Sequence, residues 1–420
     1  MFLAAFGSLP RKIDVGPMTA MGALTILEVG VSAAGLLACG RYPKWLLLRT
    51  IPYLLLLTWA ALTTIWAPPN KEGFQNAIVY TLFGVMVLFS GTLTARDPWR
   101  VNRLLDRGIG WISLVALTFV GTELLTKGIP ADSEESWWIG PRPVAILGVV
   151  VLSRYLARWY YGDRRARLWI LLWLAVIVVT ISRAATATAF VLIGTVVLAQ
   201  MRFQRRRAAL SLPLALGAVV LVVTLVLLWS PFYQRMFSGD VQVQVGGAAI
   251  NVAGRATMWD AVITSALEHP WIGQGLGTAQ FVIGVAFANT KSLMTQPHND
   301  YLRVWHDLGA VGLGLHLAVI GIWVWILGRD WYVAERRYRQ PAVLELTGLL
   351  IMIGLSVLEL TDNPIVYQAV MGTAGTFVGA GLGARTYRWR MDRAHADSIA
   401  RRDQSTLGQV SAGRLRERKT

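Results

Sequence analysis

An all-α polytopic membrane protein is the fold class this sequence predicts, on three observations. The 420 residues are 55% hydrophobic, with a mean hydropathy of +0.49, which is more apolar surface than one soluble core can hide. The apolar residues arrive in blocks of about twenty, the length a helix needs to cross a hydrocarbon layer of roughly 30 Å. Within each block the hydrophobicity is continuous. A closed β-barrel, the other structure that satisfies its own backbone in lipid, would alternate instead.

Taken in order, the blocks predict spans at 18–39, 45–66, 75–95, 108–126, 143–157, 168–181, 184–201, 208–230, 307–327, 343–361 and 364–384. The expected number is eleven, with ten and twelve as its bounds, because the runs between 143 and 201 follow one another closely. Basic residues concentrate in the connections 96–107, 154–167, 202–207 and 329–339 and in the stretch after 385. The connection 127–142 carries Asp132, Glu134 and Glu135, and 231–297 is nearly neutral. The positive-inside rule assigns the basic set to the cytoplasm and the others to the outside. The alternation holds from the second span onward. It puts the amino terminus outside, against a basic Arg11-Lys12 pair.

Residues 1–384 are therefore expected to form one integral membrane domain, with 231–298 as a large extracytoplasmic loop. Residues 385–420 form a basic cytoplasmic tail, expected to be disordered or to lie on anionic lipid. The net charge of +16 is then a signature of topology, and no motif points to a nucleic-acid partner. Cys39 is the single cysteine; it forms no internal disulfide and has no second thiol nearby for a zinc site. Glu28 and Arg49 lie inside apolar runs, where pairing with each other would give both structural roles.

Chemistry concentrates on the outward face. In Gln296-Pro297-His298-Asn299-Asp300-Tyr301-Leu302, an imidazole sits where the long loop runs into a span. Its ordinary pKa lies near neutrality, so it can accept a proton at physiological pH. The alternative is a histidine that caps the helix or bonds the loop. The same topology brings Arg183, at the reversal between two apolar runs, and Arg255, midway along the loop, to that face. Few fixed acids accompany them, Glu268, Glu359 and Asp362 being the candidates. Two arginines short of counter-ions suit an anionic ligand, and the guanidinium fork matches phosphate oxygens. Singly, Arg183 would snorkel to the interface and Arg255 would be a solvated loop charge. No carboxylate-rich loop suited to a metal is present, and no cofactor motif.

Together the spacing carries a resemblance. Gly254-Arg255 with Trp259-Asp260-Ala261 is followed by His269-Pro270-Trp271-Ile272-Gly273-Gln274-Gly275-Leu276-Gly277. Next come His298-Asn299-Asp300-Tyr301-Leu302 and Asp307-Leu308-Gly309-Ala310-Val311-Gly312. With the upstream Ser182-Arg183, this region from about 180 to 315 resembles the O-antigen ligase and Wzy-type polymerase superfamily. The resemblance implies a glycosyltransferase C type of membrane fold in the bacterial inner membrane, with the active site facing the periplasm. It implies metal-independent, inverting transfer of a glycan from undecaprenyl pyrophosphate to a hydroxyl of a lipid A–core or growing-glycan acceptor.

Carried over residue by residue, it makes His298 the base and Arg183 and Arg255 the holders of the pyrophosphate leaving group. Gly273, Gly275 and Gly277 would either bring amides to phosphate or form an ordinary turn. Trp259 would stack on a sugar or isoprenoid, or else anchor at the interface. Asn299 and Asp300 would orient His298 or cap the following helix. One departure is the segment Trp138-Ile139-Gly140-Pro141-Arg142-Pro143-Val144, which lacks the family's asparagine-bearing pattern; Arg142 is the candidate substitute contact. Ligase is the expected activity, on the strength of the one dominant outer loop. Polymerase is the same chemistry with another acceptor. A transporter of an anionic solute is the alternative of another class, and the matched halves it would need are not visible.

Overall fold

The computed structural model describes residues 14–15, 18–40, 42–128, 140–204, 242–245, 248–251, 255–286, 296–338 and 341–384. The expected span 208–230 and the tail 385–420 lie outside these residues, as does much of the long loop. A two-residue hairpin, β1 (Asp14–Val15) with β2 (Met18–Thr19), precedes α1 (Ala20–Ala38). Then follow α2 (Lys44–Thr63), α3 (Lys71–Arg96), α4 (Pro98–Lys127), α5 (Pro141–Tyr160), α6 (Ala166–Val179) and α7 (Arg183–Phe203). In the long loop come a second hairpin, β3 (Gln242–Val245) with β4 (Ala248–Asn251), and two short helices, α8 (Arg255–Ala266) and α9 (Ala279–Ala286). The chain returns to the bundle through α10 (Asp300–Val333), α11 (Val343–Leu358) and a helix α12 described over 368–384.

Within the described residues, a helix covers each expected span. Five of them, α2, α3, α4, α7 and α10, are long and apolar enough to cross a membrane by length and composition, and three apolar helices are shorter. This is a helical membrane protein with two short hairpins added. Its boundaries depart from expectation at one informative place. The span expected to start at 307 belongs to a helix that starts at 300 and breaks at Gly309 (φ 69°, ψ −174°).

The spacing of buried residues explains the packing. Helix α5 is buried on nearly all sides, between α6, α7 and α11. Its Arg154 is fully buried, and the guanidinium bonds Asp106 of α4 at 2.8 Å, Asn102 at 2.6 Å and Thr347 of α11 at 3.3 Å. A buried charge persists only when paired in this way. Arg49 of α2 finds its counter-ion in Asp330 of α10 at 2.7 Å and also donates to the Leu382 carbonyl of α12. On α12, Gly375, Gly379 and Gly383 recur every fourth residue and face the carbonyls of Phe83, Val87 and Gly91 on α3. A Cβ at any of the three would collide with that backbone, so the stripe lets two helices touch without side chains between them.

Contacts between connections separate the two ends of the bundle. At one end Tyr161 and Gln204 both bond Glu335, and Arg158 pairs with Asp163. The start of α3 and the turns after α2 and α11 gather at the other end with the start of α10, where α8, α9 and the turn between them also pack.

Candidate functional site

The site forms where α10 begins. Asn299 caps that helix, its side chain accepting from the Leu302 amide at 2.9 Å. The next residue, Asp300, is fully buried and stitches the segment to the turn after α11. Its amide donates to the Glu359 carbonyl at 2.9 Å, and its carboxylate accepts from the Ile365 amide at 3.0 Å. Two ties on either side of residues 360–364 hold that turn directly against His298.

His298 itself has a left-handed backbone, φ 51°, uncommon for a residue with a Cβ. Its side chain is about one-tenth exposed. Nδ1 lies 3.1 Å from Asn363 Oδ1 and 3.7 Å from Asp362 Oδ1. Two acceptors on one side of the ring favour the proton on Nδ1 and leave the lone pair on Nε2. Arg142, the second residue of α5, brings Nη1 to 3.1 Å from Nε2 and 3.2 Å from Nδ1. Its Nε lies 3.8 Å from Asp362 Oδ2. Burial of Asp362 opposes ionisation, but His298 and the Arg142 guanidinium outweigh it and hold the carboxyl below the usual aspartate range.

Trp259 of α8 secures the loop from the other side: its indole N–H donates to the Pro297 carbonyl at 2.7 Å. That contact reaches the peptide immediately before His298. Arg255 opens α8, and its side chain lies outside the described residues. Arg183 opens α7 and is half-buried, behind the Ser182 cap and the left-handed Ile181 (φ 52°).

The three glycines have left-handed φ values of 76°, 106° and 83° at Gly273, Gly275 and Gly277. Their amides are engaged within the protein. Gly273 donates to the His269 carbonyl, Gly275 to the Asp307 carbonyl and Gly277 to the Asp307 carboxylate, each at 2.9 Å. The same carboxylate accepts from Ala279 N at 2.9 Å and so sits at the start of α9. His306, fully buried, bonds Asp307 at 3.0 Å and Ser265 at 3.1 Å. In this arrangement the turn is a packed joint between the long loop and α10.

The structure thus brings His298 together with Arg142, and sets Trp259, Asn299 and Asp300 around them as supports. Asp362 had appeared in the sequence as one of three candidate acids. Asn363 had not, although its Asp-Asn-Pro run is a turn signal. The 65 residues separating it from His298 leave no local pattern linking the two.

Comparison with known families gives one finding. Residues 168–317 match the family model described as O-antigen ligase, which is consistent with the O-antigen ligase and Wzy-type superfamily. The matched stretch contains Arg183, Arg255, Trp259, the three glycines and His298, whereas Arg142, Asp362 and Asn363 lie outside it. No curated protein matches the chain.

Proposed function

We propose that the protein is a membrane glycosyltransferase of the O-antigen ligase kind, moving a glycan from undecaprenyl pyrophosphate to a hydroxyl of a lipid A–core acceptor. One observation carries the reading: the histidine inside the O-antigen ligase match is held by Asp362, Asn363 and Arg142 in the geometry of an oriented base. The reading includes eleven spans in a bacterial inner membrane, with this end of the bundle facing the periplasm.

In the reaction, Nε2 of His298 takes the proton from the acceptor hydroxyl as its oxygen attacks the anomeric carbon. The bond to the pyrophosphate oxygen breaks on the opposite face, which inverts that carbon. The nucleophile is a weak alcohol and needs a base and positioning. The leaving group already has a low pKa and needs charge stabilisation, which Arg183 and Arg255 supply. Asp362 and Asn363 hold the Nδ1 proton and stabilise the imidazolium that forms. Arg142 donates to Nε2 while the acceptor is absent and yields that nitrogen to the hydroxyl.

A polymerase of the same superfamily is the second reading, since it would run the same chemistry on a different acceptor. The surface-glycan profile and the undecaprenyl-linked pool of a strain lacking the gene separate the two. Long polymer stranded on the carrier with bare acceptor is the ligase result, and single repeats stranded there or capping the acceptor are the polymerase result. An unchanged profile and pool, in a strain without a redundant copy, would overturn both.

A further inference from the structure

The turn between α8 and α9 lies deeper than its place in an extramembrane loop implies. Its backbone is bonded to α10 around the Gly309 break: Ala310 N donates to the Pro270 carbonyl at 2.8 Å and Val311 N to the Trp271 carbonyl at 3.2 Å. A Cβ on Gly309 would collide with that same Trp271 carbonyl, so the contact requires glycine. The depth is fixed by α2, one of the helices long and apolar enough to span. Trp59 of α2 donates to the Leu308 carbonyl at 2.8 Å, and Trp59 stands four residues before the helix end at Thr63. That is about 6 Å below the end at a rise of 1.5 Å per residue. Helical side chains also lean toward the helix N-terminus, which here is the far side of the membrane.

A segment at that depth should present apolar side chains outward, and apart from the exposed Glu268 and His269 it does. Leu267 (61% exposed), Trp271 (71%) and Ile272 (46%) project from the turn, and Phe281 (47%) and Val285 (79%) from α9. The strip is continuous with α2 through Trp66, whose indole donates to the Gly273 carbonyl, and through Ile65, 77% exposed. Two tryptophans along such a strip are the composition of a membrane interface. The one acid of the turn, Glu268, is engaged by Gln274 at 3.0 Å.

We propose that the turn and α9 form a re-entrant element inserted among the acyl chains of the adjacent leaflet, with phospholipid hydrocarbon covering Trp271, Ile272, Phe281 and Val285. Because Trp259 of α8 holds the Pro297 carbonyl and Asp307 holds the start of α9, the lipid-facing layer and the His298 loop form one mechanical unit. Lipid contact therefore sets the height of the site above the bilayer.

The test uses the full chain with Cys39→Ser, which removes its single cysteine, and Trp271→Cys, Ile272→Cys or Val285→Cys carrying a thiol-linked fluorophore. The proteins are reconstituted in phosphatidylcholine–phosphatidylglycerol nanodiscs. Doxyl groups high on the acyl chains should quench all three labels several-fold more than aqueous iodide does. Stronger quenching by iodide would overturn the proposal by placing the turn in water. Quenching by neither agent would overturn it equally, because protein would then cover the strip. Three independent positions keep the test decisive if one variant does not fold. No glycan enters the readout, so its result is separable from that of the transfer reaction.

Discussion

The indole N–H of Trp259 and the carbonyl of Pro297, 2.7 Å apart, join the helix that Arg255 opens to the residue before His298. Through this bond the long loop closes on itself next to the imidazole. Trp259→Phe keeps an aromatic ring and removes the donor together with part of the indole's bulk. One hydrogen bond contributes a net of about 1 kcal/mol, so turnover should fall roughly five-fold with expression unchanged. Steady-state rates on extracted donor would check it, and an unchanged rate would leave Trp259 a packing residue.

His298→Ala should abolish glycan transfer while the protein still inserts and accumulates. The ring is bounded by Arg142, Asp362 and Asn363, which remain to solvate one another when it is removed. Wild-type transfer in that variant would exclude His298 as the base.

Arg255→Lys should lose most activity, because an ammonium keeps the charge and loses the two-pronged fit to phosphate. The Michaelis constant for donor and the turnover number, measured together, test the role. Full retention would make Arg255 a solvated loop charge.

Asp362→Asn should destabilise the protein in a pH-dependent way. Asp362 is held below its ordinary pKa in the folded protein, so its stabilisation is complete above the unfolded value of about 3.9 and is lost as pH falls through the lower folded value. The difference in melting temperature between wild type and variant should be constant from neutrality down to about pH 5. It should then close in more acid solution. A difference that grew on acidification would contradict this assignment.

Gly379→Leu should separate α3 from α12, because a side chain there meets the Val87 backbone. A loss of about 1–3 kcal/mol is expected from overpacking of this kind. Thermal unfolding in detergent would report it, and an unchanged midpoint would show that the two helices do not rely on this contact.

Much of this was legible from the sequence for a simple reason: spanning helices are local objects. Continuous apolar runs and the alternation of basic connections are written residue by residue, which is why α2, α3 and α7 fall close to their expected places. Asn299 as the cap of α10 was equally local. The expected span began only at 307, inside α10, because Asp300, Arg303 and His306, polar in the sequence, are buried in the structure by partners that the sequence does not place beside them.

By itself, then, the sequence determined the helical membrane class and marked His298, Arg183 and Arg255 as the residues of interest. Apolar length and motif spacing are properties of short stretches. Only the tertiary structure decided which groups surround the imidazole. Asp362 and Asn363 reach it because Asp300 binds the chain on both sides of them, and Arg142 reaches it because α5 starts at the same end of the bundle. Hydrogen bonds across such distances are fixed by helix packing, where the spacing between two residues along the chain no longer governs the distance between them.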